Sequence, residues 1–395
     1  MRDVFVLSAV RTPIGKFGGV FASLSAADLG TAAAAGALSR AGIRPEDVGE
    51  TIFGHARQAG GGPNSARQVS HRAGVPDAVP AFTVNKACAS SLKAITLGAL
   101  TIAAGESDVV LAGGHECMSA TPYLLPRARF GYRMGNAELV DGMTRDGFLC
   151  PLCGDLMGET AERLAREYAI GREEQDRYAL VSQERARAAI ESGRFADEIV
   201  PVEVEARRGK TVIVADEHPR ADTTMDSLRK LPPVFAKDGT VHAGNASGVT
   251  DGAAAVVLAS KEFAAGRKLD PLARIVAWTS AGVDPSRMGI GPVPAVRRLL
   301  EKTGLSLSDV GLIELNEAFA SQVIACVRDL GLDPAIVNVN GGAIALGHPI
   351  GGTGARVTTT LLHEMRRRSV RYGIATLCVS GGMGMAALFE TAAAR

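Results

Sequence analysis

The sequence predicts an α/β protein built on a duplicated unit, with mostly parallel strands covered by helices. Three observations carry that prediction. The stretch Gly42-Ile43-Arg44-Pro45-Glu46-Asp47-Val48-Gly49 runs parallel to Gly304-Leu305-Ser306-Leu307-Ser308-Asp309-Val310-Gly311, at a constant offset of 262 residues. A second echo pairs Ser107–Gly114 with Gly373–Gly382, each an apolar strand that ends in glycines. Strand-length apolar runs also alternate with helix-length segments through short connections. Ligands of such folds bind beyond the carboxyl ends of strands, and the residues with chemistry to offer fall at such ends.

Taken in order, Met1 to Val10 holds only a brief apolar run before Arg11 and Lys16, shorter than the apolar region of a signal peptide. Ala81 to Val84 reads as a buried strand. Ser90 to Ala104 reads as a helix, with Leu92, Ile95, Leu97, Leu100 and Ile102 in an almost wholly apolar stretch. Residues 120 to 250 change character and read as a lid or insertion: Arg127, Arg129 and Arg133 cluster, and Glu159 to Ile190 forms charged amphipathic helices. Glu162, Arg163, Arg166, Glu167, Arg172, Glu173 and Glu174 are expected on their solvated face. His218 to Lys237, with Pro219, Pro232 and Pro233, is expected to be loop. Leu312 to Leu315 and Ile336 to Val339 are predicted strands, and the last strand closes at Cys378.

Bulk composition narrows the classes. A chain of 395 residues, 46% hydrophobic and with 46 glycines, can bury a large core and is expected to hold two or three domains. With 43 basic against 42 acidic residues, the net charge of +1 exerts no general pull on nucleic acid or on an anionic membrane. No run of 18 apolar residues occurs, so no membrane span is expected. Six cysteines are too few for a disulfide scaffold, and a cytoplasmic, reducing setting is expected. Cys150-Pro151-Leu152-Cys153 has metal or redox spacing, but no second pair completes a zinc site, and no metal is expected.

Cys88 stands where the Ala81–Val84 strand stops and the following helix starts. Unpaired amides and the positive end of the helix dipole favour a thiolate there, so its pKa is expected below the free value of about 8.5. A nucleophile is one reading and a buried apolar cysteine the other. Asn316-Glu317-Ala318-Phe319 follows the Leu312–Leu315 strand, and Gly347-His348-Pro349-Ile350-Gly351 sits in a glycine-rich run. His348 could act as base to a thiol, since an ordinary imidazole with a pKa near about 6.5 accepts a proton at neutral pH. Cys378 precedes Val379-Ser380-Gly381-Gly382. Two thiols, an imidazole and an amide are thus offered to a common rim.

These motifs, with Val10-Arg11-Thr12-Pro13-Ile14-Gly15, Gly244-Asn245-Ala246-Ser247-Gly248 and Met288-Gly289-Ile290-Gly291-Pro292, resemble the thiolase family along almost the whole chain, and in pattern its acetyl-CoA acetyltransferases. The resemblance implies a duplicated five-layer α/β/α/β/α core. It assigns residues 1–119 and 251–270 to an N-terminal half, 120–250 to an inserted loop domain that binds CoA and makes oligomer contacts, and 271–395 to a C-terminal half. It implies that Cys88 carries an acyl group taken from acyl-CoA, that His348 takes its proton, and that Cys378 moves the proton at the substrate α-carbon. Asn316 would hold a water that forms an enolate site with His348, and the backbone amides of Cys88 and Ser380 would form a second oxyanion hole. Arg220 and Ser247 would contact CoA, while Met157, Met288, Ala318 and Phe319 would wall the acyl pocket. CoA would be a co-substrate, with no cofactor, and the chain a homotetramer or dimer.

The chain departs from the family pattern at Leu156, where short-chain members carry His, at Ser91 and Ser380, which replace glycines, and at Cys150 and Cys153. A Ser380 forced to positive φ would store strain of about 1 kcal/mol or more. Leu156 keeps open a degradative 3-ketoacyl-CoA thiolase acting on longer or dicarboxylic chains. Decarboxylating condensing enzymes of the same fold need a second His near position 316, where this chain has Asn. A non-catalytic acyl-CoA binding protein would need none of Cys88, His348 and Cys378.

Overall fold

The computed structural model describes residues 2–206 and 209–392. Ten strands form one mixed sheet that bends around two central helices. In chain order the elements that place the site are β1 (Val4–Arg11), α1 (Ala26–Ala41), β2 (Glu50–Gly54), α2 (Ser65–Arg72), β3 (Ala81–Val84), α3 (Ser90–Ala104) and β4 (Val109–Cys117). After the middle segment, which carries α4 (Met157–Glu167) and α5 (Arg172–Glu191), come β5 (Thr250–Ser260), β6 (Ala273–Gly282) and α6 (Pro292–Thr303). The chain closes with β7 (Leu312–Leu315), α7 (Ala320–Leu330), α8 (Ile350–Arg368), β8 (Tyr372–Val379) and β9 (Met383–Thr391). Strand order is β7-β8-β9-β6-β1-β5-β4-β2-β3, with Gly15–Lys16 added beside β5.

Period-two alternation sorts the strand side chains into layers. Ala254, Val256 and Leu258 of β5, with Met385, Ala387 and Phe389 of β9, face α3 and α8 in one shared core. Their neighbours Ala255 and Val257 face α1 and α2 outside, and Ala386 and Leu388 face α6 and α7 on the other side. The result is helix, sheet, helix, sheet, helix, with the sheet halves joined where β1 meets β6 at Phe5–Arg274 and Val6–Ala273. The sequence repeat reappears as geometry. Gly42 and Gly304 both end a helix in the left-handed conformation, at φ 63° and 69°, and each leads through a single 3₁₀ turn into a strand.

Four expectations need correction. The sheet is mixed, with parallel pairing confined to β2–β3, β2–β4 and β7–β8. The reason is connectivity: β8 and β9 are joined by the tight turn Ser380–Gly382, and a tight turn can only link antiparallel strands. The predicted strand Ile336–Val339 is reduced to one bridge, Ile313 to Val337. There Asn338 turns to φ 48°, and its side chain replaces a strand neighbour, accepting from the Leu315 amide at 2.9 Å and donating to the Leu315 carbonyl at 2.8 Å. Glu162 does not lie on a solvated face. It is buried and accepts from the Thr240 and Val241 amides at 2.7 Å each, pinning α4 to the loop before β5. Within His218–Lys237 a short helix, Met225–Arg229, interrupts the expected loop.

The 18-residue segment Ala87–Ala104 is apolar and long enough to cross a membrane, with mean hydropathy 1.5, but 61% of it is buried inside the molecule as the α3 core helix. Its apolar character is explained by burial between two sheet halves.

Candidate active site

A cavity of about 340 Å³ opens at the ends of β3, β7 and β8. Cys88, His348, Cys378 and Ser380 line it, together with Ser247, Met157, Met288, Ala318 and Phe319. Residues more than 250 positions apart in sequence therefore meet on one wall.

Cys88 lies in the 3₁₀ turn Ala87–Ala89 that feeds α3. The turn is held by side chains: the Ala87 amide donates to Asn85 Oδ1 at 2.9 Å, and Ser90 Oγ donates to the Ala87 carbonyl at 2.7 Å. Ala87 itself is at φ 44°, a left-handed conformation that L residues other than Gly and Asn rarely adopt. The expectation of a lowered Cys88 pKa is corrected. Burial pushes the thiol up, and hydrogen bonds from the amides of Ser380 and of Cys88 itself, with the charge of Arg57, offset only part of that rise. Those two amides converge on the Cys88 sulfur, beside which an acyl oxygen would develop charge.

His348 is 5% exposed, and burial, with the charges of Arg356 and Arg57, lowers its pKa to about 3. The imidazole is therefore neutral at neutral pH. Its tautomer follows from Thr353, whose hydroxyl donates to the Pro349 carbonyl at 2.9 Å and so can only accept from His348 Nδ1 at 2.7 Å. Nε2 is left with its lone pair toward the site, 3.4 Å from Asn316 Nδ2. Asn316 is buried one step behind the cavity wall, and its Oδ1 has no partner.

Cys378 is the penultimate residue of β8, and its pKa lies well above the ordinary value because of burial and because Cys88 is close. The two sulfurs share one cavity. Ser380 carries no strain, since the positive φ angles of the β8–β9 turn fall on Gly381 (84°) and Gly382 (81°). Ser91 is likewise accommodated: its Oγ accepts from the Ala355 amide at 2.8 Å, linking α3 to α8.

The remaining walls are set by buried polar pins. Ser247 donates its amide to the Ala318 carbonyl at 2.9 Å. Glu317 turns away from the cavity and accepts from Tyr178 Oη at 2.9 Å, Ser182 Oγ at 2.7 Å, Asn338 Nδ2 at 3.0 Å and the Ile344 amide at 3.1 Å, so the Asn316–Phe319 loop is fixed from behind. Phe235 meets Phe319 edge to face with centroids 6.3 Å apart. Leu156, at the start of α4, gives an apolar wall where short-chain relatives were expected to carry His.

Two closely spaced model matches decide the family: the thiolase N-terminal domain over residues 4–262 and the thiolase C-terminal domain over 269–391. The chain belongs to the thiolase family. This thiolase is 53% identical over 387 residues to an acetyl-CoA acetyltransferase of Pseudomonas aeruginosa, with 98% of each chain covered. It is 51% identical to one of Escherichia coli, with 99% of each chain covered. Among solved structures it matches the Bacillus anthracis acetyl-CoA acetyltransferase at TM-score 0.98 and 48% identity, with 99% of each chain covered. It matches human mitochondrial 3-ketoacyl-CoA thiolase in complex with CoA at TM-score 0.95 and 46% identity, over 99% of this chain and 98% of that one.

Of the site residues singled out in sequence, Asn316 stands behind the wall of this thiolase's cavity and Arg220 lies apart from it. Its side chain is exposed, and its amide donates to Gln183 Oε1 at 2.9 Å. Cys150 is buried among Met157, Met288 and Cys378, Cys153 is half-buried beside it, and both are free thiols. No cluster of three or more metal-ligating side chains occurs among the described residues. Sequence reasoning missed Arg57, Phe148 and Glu116. Glu116 is buried and accepts from the Ala56, Arg57 and Gly351 amides at 3.3, 3.1 and 2.9 Å, tying the loop after β2 to the loop that carries His348. Burial alone would raise its carboxyl, but His55, Arg57 and these amides hold it below its ordinary value. The run Gly113-Gly114-His115-Glu116 at a strand end was the signal available for it.

Proposed function

We propose that this thiolase joins two acetyl-CoA molecules into acetoacetyl-CoA and free CoA, reversibly, through an acyl group carried on Cys88. The observation that carries this reading is the meeting of two thiols and a neutral imidazole on one cavity wall. The relatives named acetyl-CoA acetyltransferase support the same substrate.

In the first half-reaction Cys88 passes its proton to His348 Nε2 as its sulfur attacks the thioester carbon, and CoA leaves with that proton. The Cys88 and Ser380 amides stabilise the oxyanion, each donor contributing on the order of a hundredfold in rate. In the second, Cys378 gives its thiol proton to the His348 Nε2 just vacated and, as thiolate, removes a proton from the methyl carbon of the next acetyl-CoA, and the enolate attacks the acyl carbon on Cys88. The bond to Cys88 sulfur breaks, the proton held on His348 restores the Cys88 thiol, and Cys378 keeps the α-proton as its own thiol. Asn316, with an unpartnered Oδ1, is read as the anchor of a water that donates with His348 to the enolate oxygen.

Ser247 on the cavity wall and Arg220 outside it are read as CoA contacts, and Met157, Met288, Ala318 and Phe319 as the acyl walls. Residues 120–250 are read as the inserted unit that holds CoA. The exposed Tyr123, Phe130 and Met134 of that unit are read as its contact with further copies in a tetramer. CoA is a co-substrate, and no cofactor is required by these steps.

Intact-mass spectrometry after mixing with acetyl-CoA tests the assignment. Wild type and Cys378→Ala gain an acetyl group, Cys88→Ala gains none, and Cys378→Ala makes no acetoacetyl-CoA. Acetylation of Cys88→Ala at the wild-type rate would remove Cys88 from its role.

A further inference from the structure

Cys150 and Cys153 are two thiols for which the steps above have no use. Cys150-Pro151-Leu152-Cys153-Gly154 forms a single helix-like turn, closed by the Gly154 amide donating to the Cys150 carbonyl at 2.8 Å. The turn is clamped at its base, where the Cys150 amide donates to the Asp155 carbonyl at 2.9 Å and Leu149 bridges to Leu156. Pro151 fixes φ at the first position inside it. Residues three apart on such a turn share a face, and the Cys153 thiol lies close enough to Cys150 to share a hydrogen bond with it.

The two sulfurs have different surroundings. Cys150 is 2% exposed and belongs to one cluster with Met157, Met288 and Cys378, whereas Cys153 is half-buried at the edge of that cluster. Leu152, between them, reaches the β8–β9 turn, so that a Cβ on Gly381 would lie 3.8 Å from its Cδ1. The same short turn thus packs against the Cys378 cluster and against the turn that follows Ser380. A thiol reached by solvent, backed by a buried thiol and held to it by main-chain bonds, has the geometry of a dithiol that closes to a disulfide. Ring closure then costs little entropy, because the ends are already held together.

We propose that Cys150 and Cys153 form a site of reversible oxidation, a disulfide whose closure slows the step carried by Cys378. The disulfide stands on the turn alone, and only its effect on turnover rests on the thiolase reading above. The oxidant is a hydroperoxide. Cys153 sulfur attacks a peroxide oxygen and the O–O bond breaks, so that with hydrogen peroxide a water leaves, the sulfur is oxidised to a sulfenic acid and the peroxide is reduced. Cys150 sulfur then bonds to Cys153 sulfur, the S–O bond breaks, and hydroxide leaves with the Cys150 proton as a second water. A dithiol reductant reverses the change by exchange, returning both thiols and becoming a disulfide itself. Burial and the Cys150 thiol raise the Cys153 pKa, so the oxidation quickens as pH rises above neutrality. An S–S bond of about 2.05 Å is shorter than any contact between two thiols, so closing it moves the sulfurs together and repacks the cluster around Cys378.

In the test the purified full chain is treated with hydrogen peroxide, alkylated and digested with trypsin. Cleavage after Arg145 and Arg163 gives one peptide, residues 146–163, that holds both thiols and neither Cys88 nor Cys378. The expected product is that peptide two hydrogens lighter and unalkylated, returned by dithiothreitol to a doubly alkylated form. As the disulfide accumulates, acetoacetyl-CoA thiolysis falls by on the order of tenfold, since a small displacement of a reacting group suffices for that, while acetylation of Cys88 from acetyl-CoA continues. Dithiothreitol restores the rate. Cys153→Ser starts at the wild-type rate and keeps it over the time in which wild type loses it. A peptide that stays doubly alkylated while Cys88 oxidises, or either thiol found cross-linked to another peptide, overturns the site. A disulfide that leaves wild-type thiolysis at its starting rate, or a loss no faster than in Cys153→Ser, overturns the link to Cys378. If the reduced enzyme cleaves no acetoacetyl-CoA, the thiolase reading falls and that link with it, while the peptide still decides the disulfide.

Discussion

Thr353→Val isolates the part of the site that decides where the His348 proton sits. The threonine is buried, and valine keeps its shape while deleting the oxygen that accepts from Nδ1 at 2.7 Å. Without that acceptor a buried Nδ1–H costs about 1–3 kcal/mol. The ring escapes the cost by moving its proton to Nε2, where the unpartnered Asn316 Oδ1 can turn to receive it. That tautomer has no lone pair for the Cys88 proton. A penalty of this size corresponds to a fall of about 5- to 150-fold in the productive tautomer. Single-turnover acetylation of the enzyme, followed by intact mass, should slow by that factor while the CoA dissociation constant holds steady. Thr353→Ser, which restores the oxygen, should recover most of the rate. Acetylation of Thr353→Val at the wild-type rate would refute the tautomer argument, since the imidazole would then need no acceptor on its far side.

Three further outcomes follow from the same structure. His348 titrates at about 3, so the acid limb of kcat/KM should show no break near an ordinary histidine pKa; a break that vanished in His348→Gln would contradict this. The unfolded chain binds that proton below about 6.5 and the folded one does not, so denaturant midpoints should fall as pH drops from there toward 3, by up to about 1.4 kcal/mol per pH unit for this site. Asn338→Ala should destabilise the fold by about 2–4 kcal/mol, since the buried Leu315 amide and carbonyl lose their partners and alanine takes positive φ less readily than asparagine. A midpoint unchanged in urea would show that the side-chain bridge is not what holds that edge of β7.

Much of this was legible in the sequence because the duplication is written in local signals. Gly42 and Gly304 each need a left-handed φ, and each announces the same helix end, turn and strand. The catalytic loops were legible because each follows an apolar strand with small residues that allow close approach. Other features depend on partners far along the chain. Nothing near Asn338 says that its amide will stand in for a strand, because Leu315 is brought to it by the fold. Glu162 sits in a charge run and turns inward because the amides of Thr240 and Val241 await it there. The Cys88 pKa went the other way because the helix start is local, whereas the burial that outweighs it is set by the folded cavity around the thiol. Arg57 lies between His55 and Gln58 without a motif, and only the closing of Phe148 and Gly147 over it reveals a buried charge.

The same duplication explains why nucleophile and base face each other. Cys88 precedes α3 and His348 precedes α8, and these two helices form the single layer shared by both sheet halves. They pack through main chain, since a Cβ on Gly354 would lie 2.4 Å from the Leu92 nitrogen, and β4 meets α8 in the same way, a Cβ on Gly114 lying 2.3 Å from the Gly351 carbonyl oxygen. Glu116 then bonds amides from both halves with one carboxylate. The reacting groups are thus spaced by backbone contacts that no rotamer change can loosen, whereas the walls contributed by Arg57, Phe148 and Leu156 are side chains on neighbouring loops and a helix start. Substitution at those walls can change which acyl chain enters without moving the sulfurs or the imidazole, so reaction type and substrate range are separable properties of this fold.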